Sequence, residues 1–180
     1  WVTDSKLYEE YHDKEWGLPV FDDAIFFEFL ILETFQAGLS WITILNKREN
    51  FRKAFDNFDY QKIATYPESK FQSLLIDTGI IRNKLKIRSA IHNAQVFMEV
   101  QQEFGSFSKF IWSYVNETPI HNKFQKRTEV PATTVLSDTI SKDLKKRRFK
   151  FVGSTVTYAY MQAIGMVNDH TTDCFIYVEK

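Results

Sequence analysis

The chain has 180 residues, a single cysteine, and 23 Lys and Arg balanced by 23 Asp and Glu, so its formal net charge is zero. That length suits one domain with a sizeable core. One cysteine excludes an intramolecular disulfide, and no signal-like region or bilayer-length apolar run is present, so a soluble cytoplasmic protein with no membrane span is expected.

In chain order, LYEEYHDKEWG comes first and gathers Tyr8, Tyr11, His12 and Trp16. Apolar residues then recur at helical spacing over residues 22–37. Ser40 offers an N-cap for a second helix reaching about residue 55, with Ile44, Leu45, Phe51 and Phe55 available to the core. Glu33 lies in the apolar stretch between Leu32 and Phe35. Such a carboxylate is either turned to solvent or buried with a partner. Gly38-Leu39 marks the junction of the two helices, and Trp41 follows. Further helical patterns run over residues 68–77, 83–102, 107–115, 137–146 and 154–164, each bounded by Gly, Pro, Asn or Ser. Strand-like alternation is scarce, and the expected fold is all-α, a single helical domain over residues 1–180.

The basic residues are unevenly spread. Residues 1–40 carry 2 basic and 9 acidic side chains, whereas residues 79–150 carry 14 and 6. Such a basic half suits a phosphate-facing surface, and equally a solvated helix face. Within it, DTGIIRNKLKI joins two helical patterns by a short turn centred on Gly79. A glycine there can take positive φ and leave backbone N–H groups free at the next helix start, close to Arg82, Lys84 and Lys86. An ordinary helical hairpin with a glycine cap reads the same way. Residues 145–148, KKRR, are a second phosphate patch or a solvated helix end. The chain closes on NDHTTDC, with His170 and Cys174 four apart, which is half of a metal site or a buried histidine near a buried thiol.

Taken together, WV-x5-Y, YHDKEWG, LETFQAGLSWITIL-x-KREN, DTGIIRNKLKI, LKKRRFKFVGSTVTYAYMQAIGMVNDH and the closing His-x3-Cys resemble the DNA-3-methyladenine glycosylase I family, a branch of the helix-hairpin-helix glycosylases. The resemblance runs from Trp1 to about Tyr177. It implies a helix-hairpin-helix motif over about residues 68–102 and hydrolysis of the N-glycosidic bond of 3-methyladenine in alkylated double-stranded DNA, leaving an abasic site. The base is cationic and leaves without prior protonation, so flipping the nucleotide out and stabilising the sugar suffice. Consistent with this, no aspartate occurs between Asp77 and Asp138, although most helix-hairpin-helix glycosylases carry a catalytic one after the hairpin.

The resemblance also implies roles. Glu33 is the catalytic carboxylate facing the adenine edge, Tyr11 and Trp41 flank the ring, and Tyr8 and Trp1 wall the pocket. Gly38 and Leu39 meet DNA, with Leu39 as the plug in the gap left by the flipped base. Gly79, Ile80, Arg82 and Lys84 grip the backbone. A structural zinc is implied on His12, His170 and Cys174, its fourth ligand a cysteine ahead of Trp1, tying the chain ends together. The implied partners are duplex DNA and the 3-methyladenine base, and a monomer is expected.

Overall fold

Residues 23–36 carry apolar side chains on every face, a pattern that suits only a helix enclosed by other elements. A computed structural model describes residues 5–177, and among them ten α-helices form: α1 (Lys6–Lys14), α2 (Asp23–Gln36), α3 (Trp41–Leu45), α4 (Arg48–Ala54), α5 (Tyr60–Ile63), α6 (Glu68–Ile76), α7 (Lys84–Phe104), α8 (Phe107–Trp112), α9 (Val135–Lys146) and α10 (Ser154–Ala163). Helices α3, α7, α8 and α10 all pack on α2, and Phe26, Phe27, Ile31, Leu32 and Phe35 are wholly buried. Asp22 caps α2 by accepting from the Ala24 and Ile25 N–H groups at 2.7 and 3.2 Å. Its neighbour Asp23 accepts from the Phe107 and Ser108 N–H groups at 2.9 and 2.8 Å, so one turn starts α2 and caps α8.

Several boundaries differ from expectation. The single helix expected from Ser40 to about residue 55 is two, α3 and α4, broken at Asn46-Lys47. The break serves tertiary structure: the Lys47 ammonium donates to the Thr78 and Gly79 carbonyls, both at 3.2 Å. Helix α9 starts at Val135, two residues before the expected position, because Thr134 and Ser137 cap each other: the Thr134 hydroxyl accepts from the Ser137 N–H and the Ser137 hydroxyl from the Thr134 N–H. Helices α1 and α5 were not expected, since α1 is mostly polar and buries only Tyr8 and Tyr11. The all-α expectation is amended by one parallel bridge, β1 (Ile120–His121) on β2 (Val167–Asn168).

The chain after α1 crosses the end of α10 at very close range. The Gly17 and Val20 N–H groups donate to the Gln162 and Ile164 carbonyls, both at 3.0 Å. At Gly165, φ is +67° and a Cβ would stand 2.2 Å from the Leu18 carbonyl carbon, so only glycine permits the crossing. No described helix is long and apolar enough to cross a membrane.

Candidate functional site

Helix α2 ends under the site. Its Glu33 is 3% exposed and wholly surrounded by protein, yet its Oε2 has no hydrogen-bond partner among the described residues. Burial pushes the Glu33 carboxyl from 4.5 up to about 8, so at neutral pH it is held mainly as the uncharged acid. Above it lies a cavity of about 760 Å³. Tyr8 and Tyr11 reach it from α1, and Trp41 from the first turn of α3. The Tyr11 and Trp41 rings approach to 5.2 Å with 46° between their planes. The buried Trp41 indole N–H also has no protein acceptor among the described residues. Of the expected base-site residues, Tyr8, Tyr11, Glu33 and Trp41 therefore line one cavity, and Trp1 lies outside the described residues.

The expected metal ligands line the same cavity. One donor atom from each of His12, His170 and Cys174 falls within 4.8 Å of the others, and Cys174 Sγ is 3.7 Å from His12 Nε2. Ligands at zinc bond lengths of about 2.0 and 2.3 Å in a tetrahedron stand about 3.5 Å apart, so this separation fits a shared ion. The orientation fits too. His12 Nδ1 lies 2.7 Å from the Asp13 carboxylate and His170 Nδ1 lies 2.8 Å from Asn168 Oδ1, which turns each Nε2 inward. His170 Nε2 is buried without a partner among the described residues, and burial, with His12 nearby, pulls this imidazole down to about 4, keeping it neutral. Gly17, at φ +77°, leaves room for the ring: a Cβ there would stand 2.9 Å from His170 Cε1.

The remaining wall was not anticipated. Gln125, Lys126, Arg127 and Val130 line the cavity together with Gln162 and Asp169. Asp169 is 2% exposed and accepts from Asn122 Nδ2, the Tyr158 hydroxyl and Gln162 Nε2 at 2.6 to 2.7 Å. The β1–β2 bridge, the Asn122–Asp169 contact and a 2.9 Å bond from the Thr172 N–H to the Phe124 carbonyl bring this loop to the site. These are long-range pairings with no local pattern to announce them.

Two other surfaces adjoin. At the α2–α3 junction Gly38 has φ +83° and Leu39 is 40% exposed. The turn between α6 and α7 corrects the expectation for Gly79. Its φ is not positive; the site is instead crowded, since a Cβ would stand 3.2 Å from Asn50 Cβ and 3.0 Å from Asp77 Oδ1. The Gly79 N–H is also engaged, donating to Asp77 Oδ1 at 2.7 Å. The following N–H groups of Ile80, Ile81 and Arg82 meet no protein acceptor among the described residues. Ile80 is buried, while Arg82 and Lys84 are exposed. Lys86 is not part of that surface: its buried ammonium donates to the Phe35 and Ala37 carbonyls at 2.7 and 2.6 Å and caps the end of α2. In the 145–148 run, Arg147 pairs with Glu103 and Arg148 with Glu99, both at 2.6 Å.

Comparison with known proteins agrees along the whole length. A family model described as methyladenine glycosylase matches residues 1–177. DNA-3-methyladenine glycosylase 1 of Escherichia coli is 47% identical over 177 residues, covering 98% of this chain and 95% of the relative. A crystal structure of 3-methyladenine DNA glycosylase I superposes with a TM-score of 0.96 at 47% identity, covering 99% of this chain and 98% of that one. The Staphylococcus aureus 3-methyladenine DNA glycosylase I, solved for the structural basis of 3-methyladenine recognition, superposes at 0.93 with 35% identity, covering 96% and 92%.

Proposed function

The chain belongs to the methyladenine glycosylase family, and from that premise we propose how its cavity works. The protein is a DNA-3-methyladenine glycosylase of base-excision repair. It hydrolyses the N-glycosidic bond of 3-methyladenine in alkylated duplex DNA, with water as the acceptor. The observation that carries this reading is the buried Glu33 carboxyl at an aromatic cavity, its Oε2 without a partner among the described residues. A core has no use for such a group, because an orphaned polar atom costs roughly 1–3 kcal/mol. A cationic base supplies both the missing charge and the missing donors.

The chemistry follows from charge. Surrounded by protein alone, Glu33 holds its proton; beside a methylated, positively charged adenine the carboxylate is favoured and accepts from the base edge. Tyr11 and Trp41 attract the cation through their ring faces, at roughly 0.5–2 kcal/mol each. As the C1′–N9 bond breaks, its electron pair neutralises the base, positive charge moves to the sugar, and water adds at C1′ with loss of a proton. A neutral adenine gains less from the rings and from Glu33 and leaves the sugar poorly, so binding and chemistry discriminate together.

The turn over residues 77–83 and helix α7 serve as the second half of a helix-hairpin-helix motif over about residues 68–102. Its Ile80, Ile81 and Arg82 N–H groups, with the Arg82 and Lys84 side chains, hold phosphate without reading sequence. Gly38 carries Leu39 into the gap left by the flipped base. His12, His170 and Cys174 would hold a structural zinc, which would tie α1 to the C-terminal segment and take no part in bond cleavage. The deciding measurement is base release from methylated duplex DNA with the released purines identified. Release of 3-methyladenine is expected, and its absence with folded, metal-loaded protein would overturn the reading.

A further inference from the structure

Five of the seven arginines in the chain are neutralised: Arg48, Arg52, Arg88, Arg147 and Arg148 each pair with a carboxylate. Among the described residues, Arg82 and Arg127 have no acidic oxygen within the 4.0 Å that defines an ion pair. Arg82 stands at the hairpin. Arg127 stands instead at the base cavity, where it is exposed and its charge is felt by the Tyr8 phenol. We propose that Arg127 is a second phosphate anchor, gripping the backbone of the nucleotide that has been turned into the cavity. This inference rests on the glycosylase reading above.

Electrostatics makes the placement informative. A guanidinium beside a cavity that receives a cationic base repels its own ligand unless an anion comes between them. The anion that necessarily arrives with a flipped nucleotide is its own phosphodiester, which stays outside while the base goes in. The loop is built to present the charge. Glu129, the nearest acid in sequence, turns its carboxylate onto the Gln125 and Lys126 N–H groups at 2.8 and 3.3 Å, and so caps the short 3-10 turn Arg127–Glu129 from behind. The loop is also fastened to the segment bearing His170 and Cys174 through the β1–β2 bridge and the Thr172–Phe124 bond. Lys126 beside it is likewise exposed and without an ion pair among the described residues. Arg127 thus contributes charge at a fixed point of the cavity rim, on a chain segment far in sequence from the hairpin.

The test compares wild type with Arg127→Gln and Arg127→Lys in three measurements: tryptophan fluorescence with free 3-methyladenine, affinity for a duplex carrying an abasic-site analogue over a range of salt, and single-turnover release of 3-methyladenine from methylated duplex. Arg127→Gln should leave free-base affinity within about twofold of wild type. Its duplex affinity should fall roughly threefold to tenfold at low salt, and the slope of log affinity against log salt should become shallower by about 0.9, the signature of one lost phosphate contact. Arg127→Lys should restore the slope. An unchanged slope in a folded Arg127→Gln protein would overturn the inference, as would a loss confined to free-base binding, which would make Arg127 a wall of the base pocket. Failure of the wild type to release 3-methyladenine would instead overturn the glycosylase reading, and is read separately from the slope.

Discussion

Glu33 combines two properties that rarely coexist in a helix: it sits where a leucine would pack, and it keeps an oxygen without a partner among the described residues. Glu33→Gln keeps the shape and removes the charge. It should weaken capture of 3-methyladenine by at least tenfold, about 1.4 kcal/mol of charge-assisted hydrogen bonding, while changing affinity for undamaged duplex little; equal losses in the two assays would make Glu33 a structural residue. The same substitution has a pH signature. Folding raises this carboxyl from 4.5 to about 8, so between those values the native state holds a proton that the unfolded chain has released. Its contribution to stability is complete below about pH 4.5 and lost as pH rises through about 8, at about 1.4 kcal/mol per unit of pKa displacement. Thermal melts from pH 5 to pH 9 should therefore show Glu33→Gln gaining on wild type as pH rises. Parallel melting curves would mean that the carboxyl titrates normally.

At the scale of elements, two lysines join the α6–α7 segment to the helices that carry the cavity. Lys86, in the first turn of α7, holds the last carbonyls of α2 just before Gly38 and Leu39. Lys47, in the break between α3 and α4, holds the carbonyls of Thr78 and Gly79. The α6–α7 turn and the α2–α3 junction beside the cavity are thus fastened to one another. Gly79→Val forces a branched side chain against Asn50 and Asp77. It should cost about 1–3 kcal/mol of stability through overpacking and lower duplex affinity by roughly tenfold, with free 3-methyladenine binding nearly intact. Titrations with duplex at matched salt check this, and unchanged affinity in the folded variant would remove the turn from the DNA interface.

At the scale of the whole molecule, His12 and Cys174 meet across 162 positions of sequence, so an ion bound there closes nearly the entire chain into one loop. Closing a loop of that length constrains the unfolded state more than the native one, and metal affinity becomes folding stability. Chelation or Cys174→Ser should lower the melting temperature by several degrees or more. Excision should persist at temperatures where the protein remains folded, because the ion is proposed to hold the ends and not to touch the sugar. Metal content measured beside the melts checks the assignment: equal zinc and equal stability in Cys174→Ser would return the cluster to a packed histidine pair with a neighbouring thiol.

What the sequence determined by itself is whatever depends on local periodicity or on the identity of residues in a motif. The helices α2 and α7, and, through the resemblance, the gathering of Tyr8, Tyr11, Glu33 and Trp41 at one site and of His12, His170 and Cys174 at another, were legible in that way; that both sets line one cavity was not. Only the tertiary structure decided the rest. It broke the expected helix after residue 40, with Lys47 reaching the α6–α7 turn, and gave Gly79 a packing role in place of a conformational one. It drew Lys86 away from the expected phosphate surface to cap α2, and brought the loop bearing Arg127 to the cavity through pairings with residues 167–172. The physical reason is common to these cases. A side chain's periodicity and capping chemistry are written in its neighbours, but the carbonyl a lysine finds, or the acid an arginine lacks, depends on chain segments that only folding brings within hydrogen-bond reach.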